Sequence, residues 1–112
     1  MSNLIDITEI AKMVGINFPV FVSPTVFNHE GFDLDRRYDH LRWILEAGGE
    51  ALSGSVGEFR YNCLLGNDDW IGLMYLRAIV KHSPDGTGVV ATLFDRDENW
   101  RLSDSAANYY EN

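Results

Sequence analysis

The chain has 112 residues, 46% of them hydrophobic and 23% charged, which is enough for one compact domain but not for a second core. This composition excludes a disordered acidic tail and a coiled coil, and no apolar run approaches the roughly 18 residues that a membrane span needs. The first residues lack the basic start and apolar stretch of a signal peptide, and one cysteine excludes an internal disulfide or a cysteine-rich zinc site. We therefore expect a single cytoplasmic domain over residues 1–112.

The net charge of −8 comes from 17 acidic and 9 basic residues, and each half of the chain carries −4 (8 acids against 4 bases, then 9 against 5). Direct binding of nucleic acid is disfavoured, because phosphate contacts need a basic face. An acidic surface instead favours basic partners, which include nucleic-acid-binding proteins. The alternative is that the charge serves only solubility.

The first quarter of the chain predicts a helix followed by a strand. Apolar residues at helical spacing indicate a helix over about residues 8–14, and Gly15 suits its left-handed end. The branched and aromatic residues of 16–22 predict a short strand, which Pro19 would place at a sheet edge.

Two further helices are expected before the middle of the chain. Ser23 followed by Pro24 is typical of an N-cap and a first helical position, so a short helix should run to about Glu30. An amphipathic stripe predicts a longer helix over 33–47. The glycine pair that starts at Gly48 ends this helix or allows one more turn.

The second half is richer in strand signals. Residues 58–65 alternate as a strand does, and 66–69 form a turn. The segment 70–82 fits either a helix or a strand, but the dense turn signal of 83–88 and the strand-like run 89–94 favour a hairpin. Residues 95–112 are polar, and we expect a mostly irregular tail there. The predicted fold is a two-layer α+β domain, with N-terminal helices packed on a three-stranded antiparallel meander.

The first 27 residues follow a spaced pattern, Ile5-Asp6-Ile7-Thr8, Ala11, Gly15-Ile16, Phe18-Pro19-Val20, Val22-Ser23 and Val26-Phe27. It resembles the opening of a family of small uncharacterised proteins carried on plasmids, phages and other mobile elements, which reads D-V-T-x-x-A-x-x-A-G, P-V-A-L-T, V-W. This chain departs from the pattern at Phe27, where the family has tryptophan, and in the length between Phe27 and Trp43. The resemblance implies a tryptophan-containing helix followed by two or three strands, and a mobile-element origin, but no reaction. Small acidic proteins of such elements often antagonise host defence or regulate the element by binding a protein.

No residue pattern predicts catalysis or a metal site. Asp35 and Asp39 would share a helix face beside His40, but ion pairing with the neighbouring arginines explains these carboxylates better than metal binding. Cys63 lies in an apolar strand, where a buried thiol is more usual than a nucleophile. Ser55 lacks the Gly-x-Ser-x-Gly elbow of hydrolases. We therefore predict no enzyme activity, no cofactor and no metal.

Acidic clusters and two tryptophans are the candidate partner-binding groups. If the clusters share one face, they would imitate the phosphate row of nucleic acid, and tryptophan is common in binding hot spots. Alternatively, aspartate is simply favoured at turns and helix starts. The predicted partner-binding residues are Asp33, Asp35, Asp39, Asp68, Asp69, Trp70, Asp95, Asp97, Glu98 and Trp100.

The function predicted from the sequence is a non-enzymatic acidic binding protein of mobile-element origin. It would inhibit a host nucleic-acid-targeting defence complex, of the anti-CRISPR or anti-restriction type, by covering a basic surface. A CRISPR effector is the favoured partner, with no nucleic acid or membrane bound directly. The alternative is a homodimeric regulatory or accessory protein of a plasmid or phage, paired through an edge strand of the meander.

Overall fold

In the computed structural model, which describes residues 3–30, 32, 34–66, 71–98 and 105–106, helices and short strands alternate first and three longer strands follow. The strands are β1 (Ile5–Asp6), β2 (Val20–Val22), β3 (Gly57–Gly66), β4 (Ile71–His82) and β5 (Val89–Asp95). The helices are α1 (Thr8–Met13), α2 (Pro24–Phe27) and α3 (Arg37–Ala47), with 3-10 turns over Leu34–Arg36 and Gly49–Leu52. The α+β class is confirmed.

The described strands form one mixed sheet in the order β1-β2-β5-β4-β3. β3, β4 and β5 are antiparallel neighbours, as the predicted meander requires. β2 pairs with β5 in parallel, and β1 pairs with β2 antiparallel. The prediction of a three-stranded antiparallel sheet is therefore wrong, because two short strands extend the meander beyond β5.

Pro19 does not mark a sheet edge, since β2 lies between β1 and β5. The proline precedes Val20, the first residue of β2, so its missing N–H interrupts no ladder bond. Its carbonyl accepts a hydrogen bond from the Ala91 N–H at 3.0 Å. The strand also begins later than predicted, because the Ile16 N–H bonds back to the Ala11 carbonyl at the end of α1.

The ambiguous segment 70–82 is a strand where it is described, as the hairpin prediction required. β4 runs beyond the end of β5, because the last β5 residue, Asp95, pairs with Leu76. Among the described strands, residues 71–75 therefore pair only with 62–66 of β3. We call this two-stranded projection, residues 62–66 and 71–75, the hairpin arm.

The predicted helices are present but shorter. Ser23 caps α2 as expected, since its Oγ accepts a hydrogen bond from the Val26 N–H at 3.2 Å. The helix predicted over 33–47 starts at Arg37 after a 3-10 turn. Gly15 adopts φ +87°, the left-handed conformation expected after the first helix.

The helices cover one face of the sheet, and the main core lies between the helices and that face. Buried residues from α1, α2 and α3 meet alternate residues of β3, β4 and β5 there. A smaller apolar cluster on the opposite face joins Val90 to Ala106, whose N–H donates to the buried Thr92 Oγ1 at 2.9 Å. Part of the predicted tail, residues 105 and 106, thus packs on the outer face of β5.

None of the helices in the described ranges is long and apolar enough to cross a membrane.

Candidate functional site

An acidic cleft opens where β2 and β5 end and α2 begins. It has a volume of about 510 Å³ and is lined by Thr25, Asn28, His29, Glu30, Asp95, Asp97 and Glu98. The parallel pairing of β2 with β5 creates this position, because the carboxyl ends of both strands lie side by side at the same end of the sheet. Such ends are common ligand positions in sheets with parallel strands.

Glu98 is held at the base of the cleft by two hydrogen bonds. Its Oε1 accepts one from the Ser23 Oγ at 2.7 Å and another from the Asp95 N–H at 3.0 Å. The Ser23 side chain, only 1% exposed, therefore joins the start of α2 to the turn after β5. Because charge-assisted hydrogen bonds are the stronger kind, this link fixes the position of the Glu98 carboxylate.

The turn after β5 presents two further carboxylates, those of Asp95 and Asp97. The Asp95 Oδ1 accepts a hydrogen bond from the Asp97 N–H at 3.0 Å, which closes a local turn. Arg96 lies between them in sequence, but its guanidinium stacks 4.1 Å from the centre of the Tyr75 ring. Its Nε is 3.5 Å from Asp97 Oδ1, and this exposed pair is worth little.

The charge of the cleft is one-sided. Four carboxylates line it, and no lysine or arginine is among its described lining residues. Clefts lined by one sign of charge concentrate ions of the opposite sign. The arrangement is therefore suited to receive a guanidinium or ammonium group from a partner.

Within the described ranges, no group of three or more His, Cys, Asp or Glu side chains is placed to hold a metal ion. Cys63 is buried, as predicted, and burial raises the pKa of its thiol. A raised pKa keeps the sulfur protonated and weakens it as a nucleophile. Its Sγ lies 3.5 Å from the Leu64 carbonyl oxygen.

Among the described residues, one predicted acidic cluster comes together in the cleft. Asp95, Asp97 and Glu98 share the cleft, whereas Asp35 and Asp39 lie on the 3-10 turn and on α3 and do not line it. Asp39 is 3.8 Å from the Arg42 guanidinium on the same helix, the intrahelical pairing that the sequence suggested. The other predicted site residues lie outside the described residues: Asp33, Asp68, Asp69, Trp70 and Trp100.

Glu30 and His29, which line the cleft just after the end of α2, were not predicted as site residues from the sequence. They are more than 60 residues away from Asp95 in the chain, and they meet it only because β2 lies beside β5. The N-cap signal at Ser23 correctly placed the start of α2. It contained no information about which strand lies next to β2.

Comparison of this chain with family models, curated proteins and solved structures gave no match.

Proposed function

We propose that this chain is a non-enzymatic binding protein of mobile-element origin that inhibits a host nucleic-acid-targeting defence complex. Its target would be a CRISPR effector or a restriction complex, and its mechanism would be to cover a basic surface that otherwise contacts nucleic acid. The observation that carries the proposal is the acidic cleft, with four carboxylates and no described lysine or arginine in its lining.

The cleft supports a mechanism based on competition for cations. Surfaces that bind nucleic acid present arginine and lysine side chains to phosphates. A pocket lined by carboxylates offers such side chains an alternative partner, and arginine pairs with carboxylates through two parallel hydrogen bonds. The Ser23–Glu98 link supports the proposal because a preorganised carboxylate loses less freedom on binding.

The net charge of −8 acts at longer range. It would steer the protein toward a basic surface and raise the association rate, and this effect falls as ionic strength rises. The cleft would then determine which cation is bound and how long the complex lasts.

The test is a binding assay with a panel of purified CRISPR effectors and restriction complexes, each with and without its nucleic acid. We expect salt-sensitive binding to one member and competition with its nucleic acid. The double variant Glu30→Lys/Asp97→Lys should weaken binding roughly thirtyfold or more, because loss of one member of a desolvated interfacial charge pair costs about 2 kcal/mol or more.

A matched control is Glu9→Lys/Glu50→Lys, which changes the net charge equally at two exposed positions outside the cleft lining. This control should slow association but leave the dissociation rate nearly unchanged. Equal effects of the two double variants would reject the cleft as the site. Absence of binding across the panel, together with a clean dimer mass, would favour the regulatory homodimer instead.

A further inference from the structure

The outer face of the hairpin arm is mostly apolar and exposed. Its exposed fractions are 65% for Leu64, 75% for Ile71, 49% for Leu73 and 37% for Tyr75. Leu64 lies directly opposite Leu73 in the β3–β4 register, so these side chains form one continuous patch. The inner face of the same arm is buried in the main core, and folding therefore accounts for only one of the two apolar faces. Exposed apolar patches of this kind mark interaction sites.

The arm also lies at the edge of the sheet. β3 has ten residues, and its only neighbour among the described strands is β4. Natural edge strands are usually protected by charged side chains, proline or a bulge. β3 carries Glu58 and Arg60 near its start, but its residues 61–66 contain no charged residue and no proline, and it pairs with β4 without a break over ten residues. Its free edge can therefore accept an additional strand through backbone hydrogen bonds.

The described charged residues next to the patch are basic, whereas the chain as a whole has a net charge of −8. No acidic residue occupies the outer-face positions of the arm, whereas Arg60 and Arg77 form the next cross-strand pair along the hairpin. Arg77 is 3.5 Å from Glu58. The exposed Arg60 has no ion-pair partner within the described part of the chain. A complementary partner would pair apolar side chains with a carboxylate.

We propose that the β3 edge and the outer face of the hairpin arm bind an extended, acidic and apolar peptide segment of a partner protein. The segment would add as a sixth strand, with an apolar side chain opposite Leu64 and a carboxylate opposite Arg60. These positions are four residues apart on β3, so the two side chains are four residues apart in the segment. This surface is chemically opposite to the acidic cleft and does not depend on the function proposed for it.

A second copy of this chain fits the β3 edge less well. Two copies of β3 could pair antiparallel about a two-fold axis normal to the sheet. In that arrangement the outer-face residues of one β3 lie opposite outer-face residues of the other. With the axis at Asn62, Arg60 faces Leu64 of the second copy, and with the axis at Tyr61 it faces Asn62. Arg60 meets Glu58 only with the axis at Phe59, where the overlap within β3 shrinks to residues 57–61. A heterologous acidic segment satisfies Arg60 without losing half of the strand.

The probe is a fluorescein-labelled peptide in which threonine alternates with leucine, valine and glutamate, in the order Thr-Leu-Thr-Val-Thr-Glu-Thr. Its control has lysine in place of glutamate. We expect saturable binding of the glutamate peptide, with backbone amide shifts in NMR spectra centred on residues 58–66. Arg60→Glu should lower the affinity for the glutamate peptide about threefold and raise the affinity for the lysine peptide about threefold. Changes of this size are expected for a partly exposed charge pair.

Two further variants separate the patch from general charge effects. Leu64→Thr keeps a strand-favouring residue but removes apolar contact, and it should lower the affinity for both peptides. Arg36→Glu makes the same charge change on the exposed 3-10 turn, and it should leave the two affinities nearly equal to those of the parent chain. The cleft variant Glu30→Lys/Asp97→Lys should retain peptide binding, so the two proposals can fail separately.

Several outcomes would overturn this proposal. One is the absence of saturable binding up to about 1 mM peptide, the weak limit for a short segment. Another is an equal effect of Arg60→Glu and Arg36→Glu on the peptide affinities. A dimer in sedimentation equilibrium that involves the β3 amides would assign the surface to a second copy. Binding to anionic vesicles without peptide binding would assign it to a membrane surface. Circular dichroism and the thermal midpoint of each variant confirm that it is folded.

Discussion

At the residue scale, Tyr61 joins the sheet to the helical layer. Its hydroxyl donates a hydrogen bond to the Ile44 carbonyl at 2.7 Å. Ile44 is one of the last four residues of α3, whose carbonyls have no donor within the helix. Burial raises the pKa of the Tyr61 phenol well above its usual range, and the neighbouring Cys63 acts in the same direction.

Replacement of Tyr61 by phenylalanine should lower the free energy of unfolding by about 1 kcal/mol, because it removes this hydrogen bond and keeps the ring. The urea midpoint measures the change. Tyr75→Phe is the matched control, since the Tyr75 side chain is more exposed and contacts Arg96 through its ring. Similar midpoints for the two variants would contradict the role given to the Tyr61 hydroxyl.

The pKa of Tyr61 also predicts the alkaline limit of stability. The folded state keeps the phenol protonated, whereas the unfolded chain releases this proton near pH 10. The stabilising contribution is therefore complete below about pH 10 and is lost as pH rises further. Stability should fall more steeply above that pH in the parent chain than in Tyr61→Phe. Parallel alkaline profiles would contradict this expectation.

Asp85 shows the opposite shift in the β4–β5 turn. Hydrogen bonds from the Ser83 hydroxyl and from the backbone and hydroxyl of Thr87 lower the pKa of its carboxyl to about 2. The turn should thus keep its order above about pH 4, the usual value for an unfolded aspartate, and lose this contribution as pH falls toward 2. Carbon-13 NMR titration of the Asp85 carboxyl measures the midpoint, and a value near 4 would reject the network.

At the element scale, α2 depends on contacts outside itself. A four-residue helix is too short to be stable alone. Ser23 both caps its N-terminus and donates to Glu98, so one side chain fixes α2 and the turn after β5 together. The cleft therefore exists only while both elements are in place.

The change Ser23→Ala should lower the free energy of unfolding by about 1–2 kcal/mol, the range for a lost helix cap and a charged hydrogen bond. It should also weaken partner binding at the cleft, because Glu98 loses one of its two described donors. Ser55→Ala is the control at an exposed loop position. If the two alanine variants unfold at the same urea concentration, Ser23 does not have this role.

How far the sequence could predict these elements depended on their length. The ten-residue β3 alternates clearly, and the turn signal after His82 correctly resolved β4 as a strand. β2 was predicted from its branched and aromatic residues, although it covers only three residues of the predicted 16–22. β1 has two residues, too few to show a period, and the pairing of β2 with β5 across about 70 residues leaves no local signal. The acidic run from Asp95 to Glu98 indicated one part of the cleft. Glu30 could not be assigned to the cleft from the sequence, because nothing local shows that β2 pairs with β5.

At the scale of the whole molecule, two surfaces of opposite chemistry lie close together. The acidic cleft includes Asp95 and Asp97, while Arg96 between them stacks on Tyr75 of the hairpin arm. The chain is elongated, with extents of 45 × 28 × 22 Å. The turn after β5 thus contributes to both surfaces. A partner bound at one surface can therefore shift the residues of this turn that belong to the other.

The parallel pairing of β2 with β5 also has a consequence for synthesis on the ribosome. The partner residues of β2, Ala91 to Leu93, are translated about 70 residues after β2 itself. Helices and the β3–β4 hairpin can form from nearby residues, whereas contacts between distant residues form slowly. A nascent chain that has not yet exposed β5 has no cleft, so it cannot engage a partner through that site. Any activity of the cleft therefore begins only after residues 95–98 have been made and have left the ribosome.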